Sequence, residues 1–179
     1  KFIFELTFFS GGDDSQLIPS IDLILSTFTF TDATAGWKTY TNTQYGIELR
    51  YPADFEPGLW TGSGVLGGTG LLSIRQQGET HPTIMGMAIY PQGTFTIPFI
   101  NKFQPTGPSA PTIVNIGNNQ FYFYGPGGGG IAYADRYFFN ANGRLVVIDF
   151  TDVDQQDRSP SASTQQLEQQ ILSTFKFTK

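Results

Sequence analysis

The octamer Ile171–Thr178, ILSTFKFT, occurs a second time at Ile24–Thr31 as ILSTFTFT, identical at seven of eight positions. What precedes each copy also matches in kind. Before the second copy, RLVVIDF (Arg144–Phe150) is a short apolar run that reads as a buried strand. A polar, acidic loop follows, TDVDQQDRSPSA, and then STQQLEQQILSTF reads as a helix. Leu167, Ile171, Leu172 and Phe175 fall on one helical face, and Ser163 with Gln166 three residues on fits a capping box. Before the first copy the order is the same. KFIFELTFF is a strand-like apolar run, SGGDDSQ a polar loop, and IPSIDLILSTF places Ile21, Ile24, Leu25 and Phe28 on one helical face behind Pro19 at the helix start. Residues 1–32 therefore read as the closing third of one unit, and residues 33–179 as a complete unit of the same kind. The small polar stretch TDATAG (Thr31–Gly36) is the expected linker.

Within residues 33–179 the pattern before the final helix is that of strands. QYGIELRYP alternates Ile47, Leu49 and Tyr51 against Glu48 and Arg50, as a half-buried strand does, and Pro52 ends it. GLLSIRQ and TIMGMAIYP are further strands, and TIVNIGNNQFYFYG reads as two short strands joined by GNN. YADRYFFN and RLVVIDF flank Asn142-Gly143, a turn pair that tolerates positive φ and closes hairpins. The Pro-rich Pro98–Pro111 reads as a surface excursion with at most a turn at 98–104. The fold class expected is α+β: an antiparallel sheet packed by a C-terminal helix and preceded by a partial strand–loop–helix repeat.

Composition narrows the class of function. Charged residues make up 14% of the chain, against about a quarter in ordinary domains. A sparsely charged surface rich in Thr, Gly and aromatics suits an exported or cell-envelope protein. Lys1 in place of Met is the mark expected of a processed or trimmed end. With a net charge of −5 and no basic stripe, nothing is arranged to neutralise phosphates, so nucleic acid is not an expected partner. Cysteine is absent, which excludes disulfides, zinc knuckles and thiol nucleophiles. No apolar run approaches the roughly 20 residues that a membrane helix needs.

The stretch GWKTYTNTQYGIELRYPADF resembles the opening of many bacterial envelope proteins of the PsbP-like superfamily, which share the fold of the photosystem II PsbP protein. Trp37, Tyr40, Asn42, Tyr45, Gly46, Tyr51, Pro52 and Phe55 carry the resemblance. The later order of two hairpins and a closing helix is similar too. The resemblance covers about 33–179, and residues 1–32 resemble only the family's tail. It implies a fold and brings no catalytic residues with it. On physical grounds the motif residues are expected to be structural: aromatics on one face of a hairpin give a sheet its packing surface.

Residues that suggest chemistry are few. His81 is the only histidine and builds no multi-His metal site. Asp152, Asp154 and Asp157 are spaced loosely like calcium ligands, but the glycine and closing glutamate of a calcium loop are missing, so a solvated loop is expected. Asp13 and Asp14 occupy the corresponding loop of the partial repeat. GPGGGG (Gly125–Gly130) lacks the Lys-Ser/Thr ending of a phosphate loop and reads as a hairpin loop. Trp60, Tyr90 and Tyr122–Tyr124 are candidates for sugar or partner binding, with core packing expected for most. No cofactor is expected.

The expectation for function is a non-enzymatic, exported structural or interaction domain whose partner is protein, copies of itself first. A lone strand–helix unit cannot bury both of its faces. Phe2, Ile3, Phe4, Leu6, Phe8, Ile21, Ile24, Leu25 and Phe28 are therefore the expected contact residues, covered by a neighbouring copy so that a fibre is built, by an upstream part of the same precursor, or by their own domain. Two other readings stand beside this one: an envelope domain that binds a carbohydrate or small molecule through aromatics and glycine-rich loops, and a hydrolase with an unrecognised acidic site.

Overall fold

In the computed structural model of the chain, the described residues are 32–60, 65–78, 83–103, 111–125, 134–151 and 162–177. The chain divides into two compact units, Lys1–Ala35 and Gly36–Lys179. Of the first, only Asp32–Ala35 are described: the Asp32 carboxylate accepts from the Thr34 N–H at 2.9 Å and the Thr34 hydroxyl at 2.7 Å, closing a tight turn. The strand expected at 1–9, the helix expected at 19–28 and all nine contact residues from Phe2 to Phe28 lie outside the described residues.

In the second unit the Asn142-Gly143 turn forms as its chemistry dictates, with φ of 53° and 81°. It joins two eight-residue strands in the middle of the larger sheet. In chain order the strands are β1 (Lys38–Asn42), β2 (Ile47–Tyr51), β3 (Phe55–Gly58), β4 (Thr69–Gln76), β5 (Thr83–Gln92), β6 (Thr112–Ile116), β7 (Asn119–Tyr124), β8 (Ala134–Ala141), β9 (Arg144–Thr151) and β10 (Lys176–Phe177). The helices are α1 (Ile97–Ile100) and α2 (Ala162–Ser173). The fold is thus dominated by sheet and is α+β only in part.

One antiparallel sheet was expected, and the described residues form two. Seven strands run β3-β4-β5-β9-β8-β7-β6, and three run β1-β2-β10. The second sheet exists because the chain's end returns to β2: Phe177 pairs with Ile47 and Lys176 with Glu48. Here the repeated octamer acquires a physical meaning. Its Ile171, Leu172 and Phe175 are buried in the main core. Its Thr174 hydroxyl donates to the Ile171 carbonyl at 2.7 Å and accepts from the Arg50 N–H at 2.8 Å, so one side chain ends the helix and ties it to β2. Lys176, the one position at which the two copies differ, forms an exposed ion pair with Glu48.

Other expectations shift in detail. Helix α2 begins at Ala162, so Ser163 lies inside it and is not the capping residue. Strand β3, short and carrying Pro57 at a sheet edge, is an element that the alternation of the sequence did not signal. The β6–β7 turn is Gly117-Asn118. Gly117 holds φ +61°, and a Cβ there would lie 3.0 Å from the Ser173 carbonyl oxygen. The turn therefore sits close to the end of α2, and Asn119 secures it by donating to the Phe175 carbonyl at 2.7 Å.

Alternation along β5 gives a first test of the packing. Gly86 faces the Trp60 indole, and a Cβ at Gly86 would meet that ring at 2.7 Å. Gly86→Ala is expected to destabilise the protein by about 1–3 kcal/mol, because the indole must leave its place on the sheet. Denaturant titration followed by tryptophan fluorescence checks this, and an unchanged midpoint would show that Trp60 does not rest there.

Candidate functional site

Strand β8 sorts its side chains to two faces. Asp135, Tyr137 and Phe139 point one way, and Arg136 and Phe138 the other. The first face carries the main core, shared with β2 and α2. The second carries a smaller core of Ala88, Tyr90, Ile100, Tyr124, Phe138, Leu145 and Val147. Each face holds one polar cluster among the described residues.

On the second face Arg136 lies directly across from Asp149. Its Nε reaches Oδ1 at 2.5 Å and its Nη2 reaches Oδ2 at 3.2 Å, a two-pronged contact of the kind that a planar guanidinium favours. Its Nη1 donates to the Phe103 carbonyl at 2.9 Å, and the guanidinium stands 5.6 Å from the Phe103 ring centroid. Arg136 thus anchors the segment from Ile97 to Phe103 onto the sheet. The turn expected at 98–104 is present over Ile97–Phe103, and it is a plug where the Pro-rich stretch around it was expected to be a surface excursion. Thr96 caps α1 by accepting from the Phe99 N–H, and Ile100 is fully buried. Phe99 and Phe103 meet the Tyr90 ring edge-on at 5.7 and 5.3 Å, and the Tyr124 hydroxyl donates to the Asn101 side chain at 2.7 Å.

Tyr90 and Tyr124, candidates for ligand contact in the sequence, are therefore core residues. The Tyr90 phenol is pushed up to about 12, by burial first and by the Asp149 charge next, with Arg136 opposing. It stays neutral across the physiological range and offers no base. The second face also carries exposed apolar side chains. Ile97 is 39% exposed and Ile113 52%. Ile113 stands opposite Tyr122 in register, and the Tyr122 ring contacts Phe95. Trp60, half-buried over Gly86, belongs to the same side.

On the first face a second cluster spans the contact between β8 and α2. Asp135 is 4% exposed and Glu168 1%. The Tyr137 hydroxyl donates to Glu168 Oε2 at 3.3 Å. Burial raises the Asp135 carboxyl above the ordinary range, partly offset by its hydrogen bond with Glu168. The Tyr137 phenol is raised by burial and then by the nearby Glu168 and Asp135. Sequence reading singled out neither Asp135 nor Glu168. The signal for the burial of Glu168 was the spacing: position 168 precedes Ile171 and Leu172 by three and four residues, so it shares their face.

The remaining candidates are not brought together. Asp152, Asp154 and Asp157, His81 and residues 126–130 lie outside the described residues. Among the described residues no three acidic, histidine or cysteine side chains converge on a point that could hold a metal ion, and no helix is long and apolar enough to cross a membrane. The motif Trp37–Phe55 is built into the fold. The Tyr40 hydroxyl reaches the Leu71 carbonyl and accepts from Asn42, Asn42 also accepts from the Tyr45 N–H, and Tyr51 and Phe55 are buried.

No family model and no curated protein matches the chain. Among solved structures, it is similar to the cyanobacterial PsbP protein (CyanoP) of Synechocystis sp. PCC 6803, at 12% identity and a TM-score of 0.45, over 85% of this chain and 99% of that one. It is also similar to a protein of Bacteroides thetaiotaomicron, at 11% identity and a TM-score of 0.48, over 79% of this chain and 48% of that one, so it spans about half of that protein's length.

Proposed function

We propose that the chain is a PsbP-like, exported, non-enzymatic interaction domain that binds protein, with copies of itself as the first partner. In this reading the apolar N-terminal residues, Phe2 to Phe8 and Ile21 to Phe28, supply one surface. The second face of the seven-stranded sheet supplies the other. The PsbP-like assignment rests on the Trp37–Phe55 motif, and export on the sparse charge. One observation carries the reading of the second face: Ile97 and Ile113, 39% and 52% exposed, stand in water on a face whose charged pair is already engaged in holding α1. A contact between two different surfaces propagates head to tail and forms a fibre when its rotation does not close. The hydrolase reading is weaker, because Asp135 and Glu168, the acids that lie together among the described residues, are 4% and 1% exposed and out of a substrate's reach.

Sedimentation velocity of the full chain over a range of concentrations tests this. Concentration-dependent association is expected, and both Phe4→Asp and Ile113→Lys are expected to weaken it. A chain that stays monomeric throughout would remove self-association. Association indifferent to Ile113→Lys would remove the second face as its surface.

A further inference from the structure

We propose that Asp135 and Glu168 hold one proton between them and, with the Tyr137 hydroxyl, form a proton-dependent latch that keeps the C-terminal helix on the sheet. The pair spans an interface: Asp135 belongs to β8 and Glu168 to α2. Both side chains are almost wholly buried, and they are in hydrogen-bond contact. Two carboxylates side by side away from water repel strongly, so such a pair keeps one proton. The Tyr137 hydroxyl gives its hydrogen to Glu168 Oε2. One oxygen of each carboxyl, Asp135 Oδ1 and Glu168 Oε1, is buried without a hydrogen bond. A buried carboxylate oxygen without a donor is costly, whereas a neutral carboxylic acid tolerates it. One proton shared across the contact between the two carboxyls removes the second buried charge.

The surroundings supply no compensating charge among the described residues. Across from Asp135 stands Phe150, and across from Tyr137 stand Ile148 and Phe123. Helix α2 adds Leu167, Ile171 and Leu172, and β6 adds Val114 and Ile116, all apolar. From the three-stranded sheet the titratable groups packed in this core are the phenols of Tyr40, Tyr45 and Tyr51. Glu48 and Arg50 alternate with the buried Ile47, Leu49 and Tyr51, which puts them on the other side of β2. Arg136 and Asp149 engage each other on the opposite face of the large sheet.

When the proton leaves to solvent, two adjacent negative charges share one phenol hydroxyl. The strain is relieved by moving α2 off β8. With it go Ile171, Leu172 and Phe175, the Thr174 bridge to Arg50, and the β10 pairing. The sign follows from linkage. The folded pair binds its proton more tightly than the unfolded chain does, so its contribution is fully present below the ordinary carboxyl range. It is lost as pH rises through the pair's own, raised value.

The test uses the full chain. Carbon-13 resonances of the Asp and Glu carboxyls are followed from pH 4 to pH 9, and unfolding is measured over the same range for wild type, Asp135→Asn and Glu168→Gln. One carboxyl is expected to titrate well above the ordinary range. The unfolding constant of wild type is expected to rise up to tenfold per pH unit within that window. Asp135→Asn keeps a donor toward Glu168 without needing a proton, so its profile is expected to lose this rise. If every carboxyl titrates in the ordinary range, or if the Asp135→Asn profile parallels wild type, the latch is refuted. Should Asp135→Asn not fold, the wild-type resonances and the reciprocal Glu168→Gln decide by the same criteria.

Discussion

Truncating Phe121 to alanine is expected to lower the stability of the protein by about 4 kcal/mol, the largest effect expected of any single change. Phe121 is fully buried on β7. Its ring meets Tyr137 at 6.0 Å and Phe139 at 5.5 Å on β8, and Phe175 at 6.2 Å in the tail after α2. Three parts of the chain that are remote in sequence therefore share one side chain. A phenyl ring removed from such a place takes its transfer free energy with it and leaves a cavity, and the cost rises with the volume that stays open. Aromatic neighbours on two elements hold that volume open, because each is fixed by further contacts: Phe139 meets Phe175 at 5.0 Å, and Tyr137 meets Phe123 at 4.8 Å. A drop of roughly 10 °C in melting temperature follows for a chain of this size. Calorimetry with denaturant titration checks both figures. A loss below about 1 kcal/mol would mean that the hairpin β6–β7 is not part of the core.

The residues that signalled the fold most clearly are those whose local chemistry leaves no alternative. Asn142-Gly143 is such a case, since few dipeptides accept two positive φ values in succession. The alternation of Ile47, Leu49 and Tyr51 is another, and so is the stripe of Leu167, Ile171, Leu172 and Phe175 on α2. What stayed hidden depends on partners far away in sequence. β3 is four residues long with Pro57 inside it, and it is a strand because β4 offers an edge. The Ile97–Phe103 segment, read as at most a turn within a Pro-rich surface excursion, gave no sign of its burial. It is a plug because Arg136, 33 residues later, bonds the Phe103 carbonyl. The second sheet could not be foreseen, since two residues of β10 carry no periodicity of their own.

The candidate site was less legible still, and for a related reason. Sequence reading looked for exposed acids and surface aromatics. The acids that matter to the structure are buried: Asp135 alternates inward with Tyr137, and Glu168 follows the helical stripe. Tyr90 and Tyr124 carry polar tips that suggested a surface, yet each tip lies within a core. A polar residue at an inward position of a strand or helix is the sign that was available, and period counting alone gives it no weight. The repeated octamer shows the opposite case. Its second copy is now explained residue by residue, with apolar anchors at Ile171, Leu172 and Phe175 and a hydroxyl bridge at Thr174.

Arg136→Ala is expected to cost about 3 kcal/mol, most of it from what the change leaves behind and not from the bond that it removes. The Arg136 and Asp149 side chains are 28% and 19% exposed, so water screens the pair only in part. Without the guanidinium, Asp149 keeps a partly desolvated charge beside the buried Tyr90 ring, whose phenol its field already raises. The Phe103 carbonyl loses its donor, and the Phe103 ring loses the cation at its face. Loosening should therefore begin at Ile97–Phe103 and spread to Trp60, because Gly86, on which the indole rests, is the register partner of Asp149. A red shift of tryptophan emission ahead of global unfolding is the expected signature. The double variant Arg136→Met with Asp149→Leu distinguishes a stranded charge from a lost contact. An apolar pair of similar volume removes the uncompensated carboxylate, and is expected to recover more than half of the loss while the Phe103 carbonyl remains without its donor. If Arg136→Ala instead costs less than about 0.5 kcal/mol, the pair behaves as a solvated surface bridge and the short helix holds its place through Ile100, Phe99 and Phe103 alone.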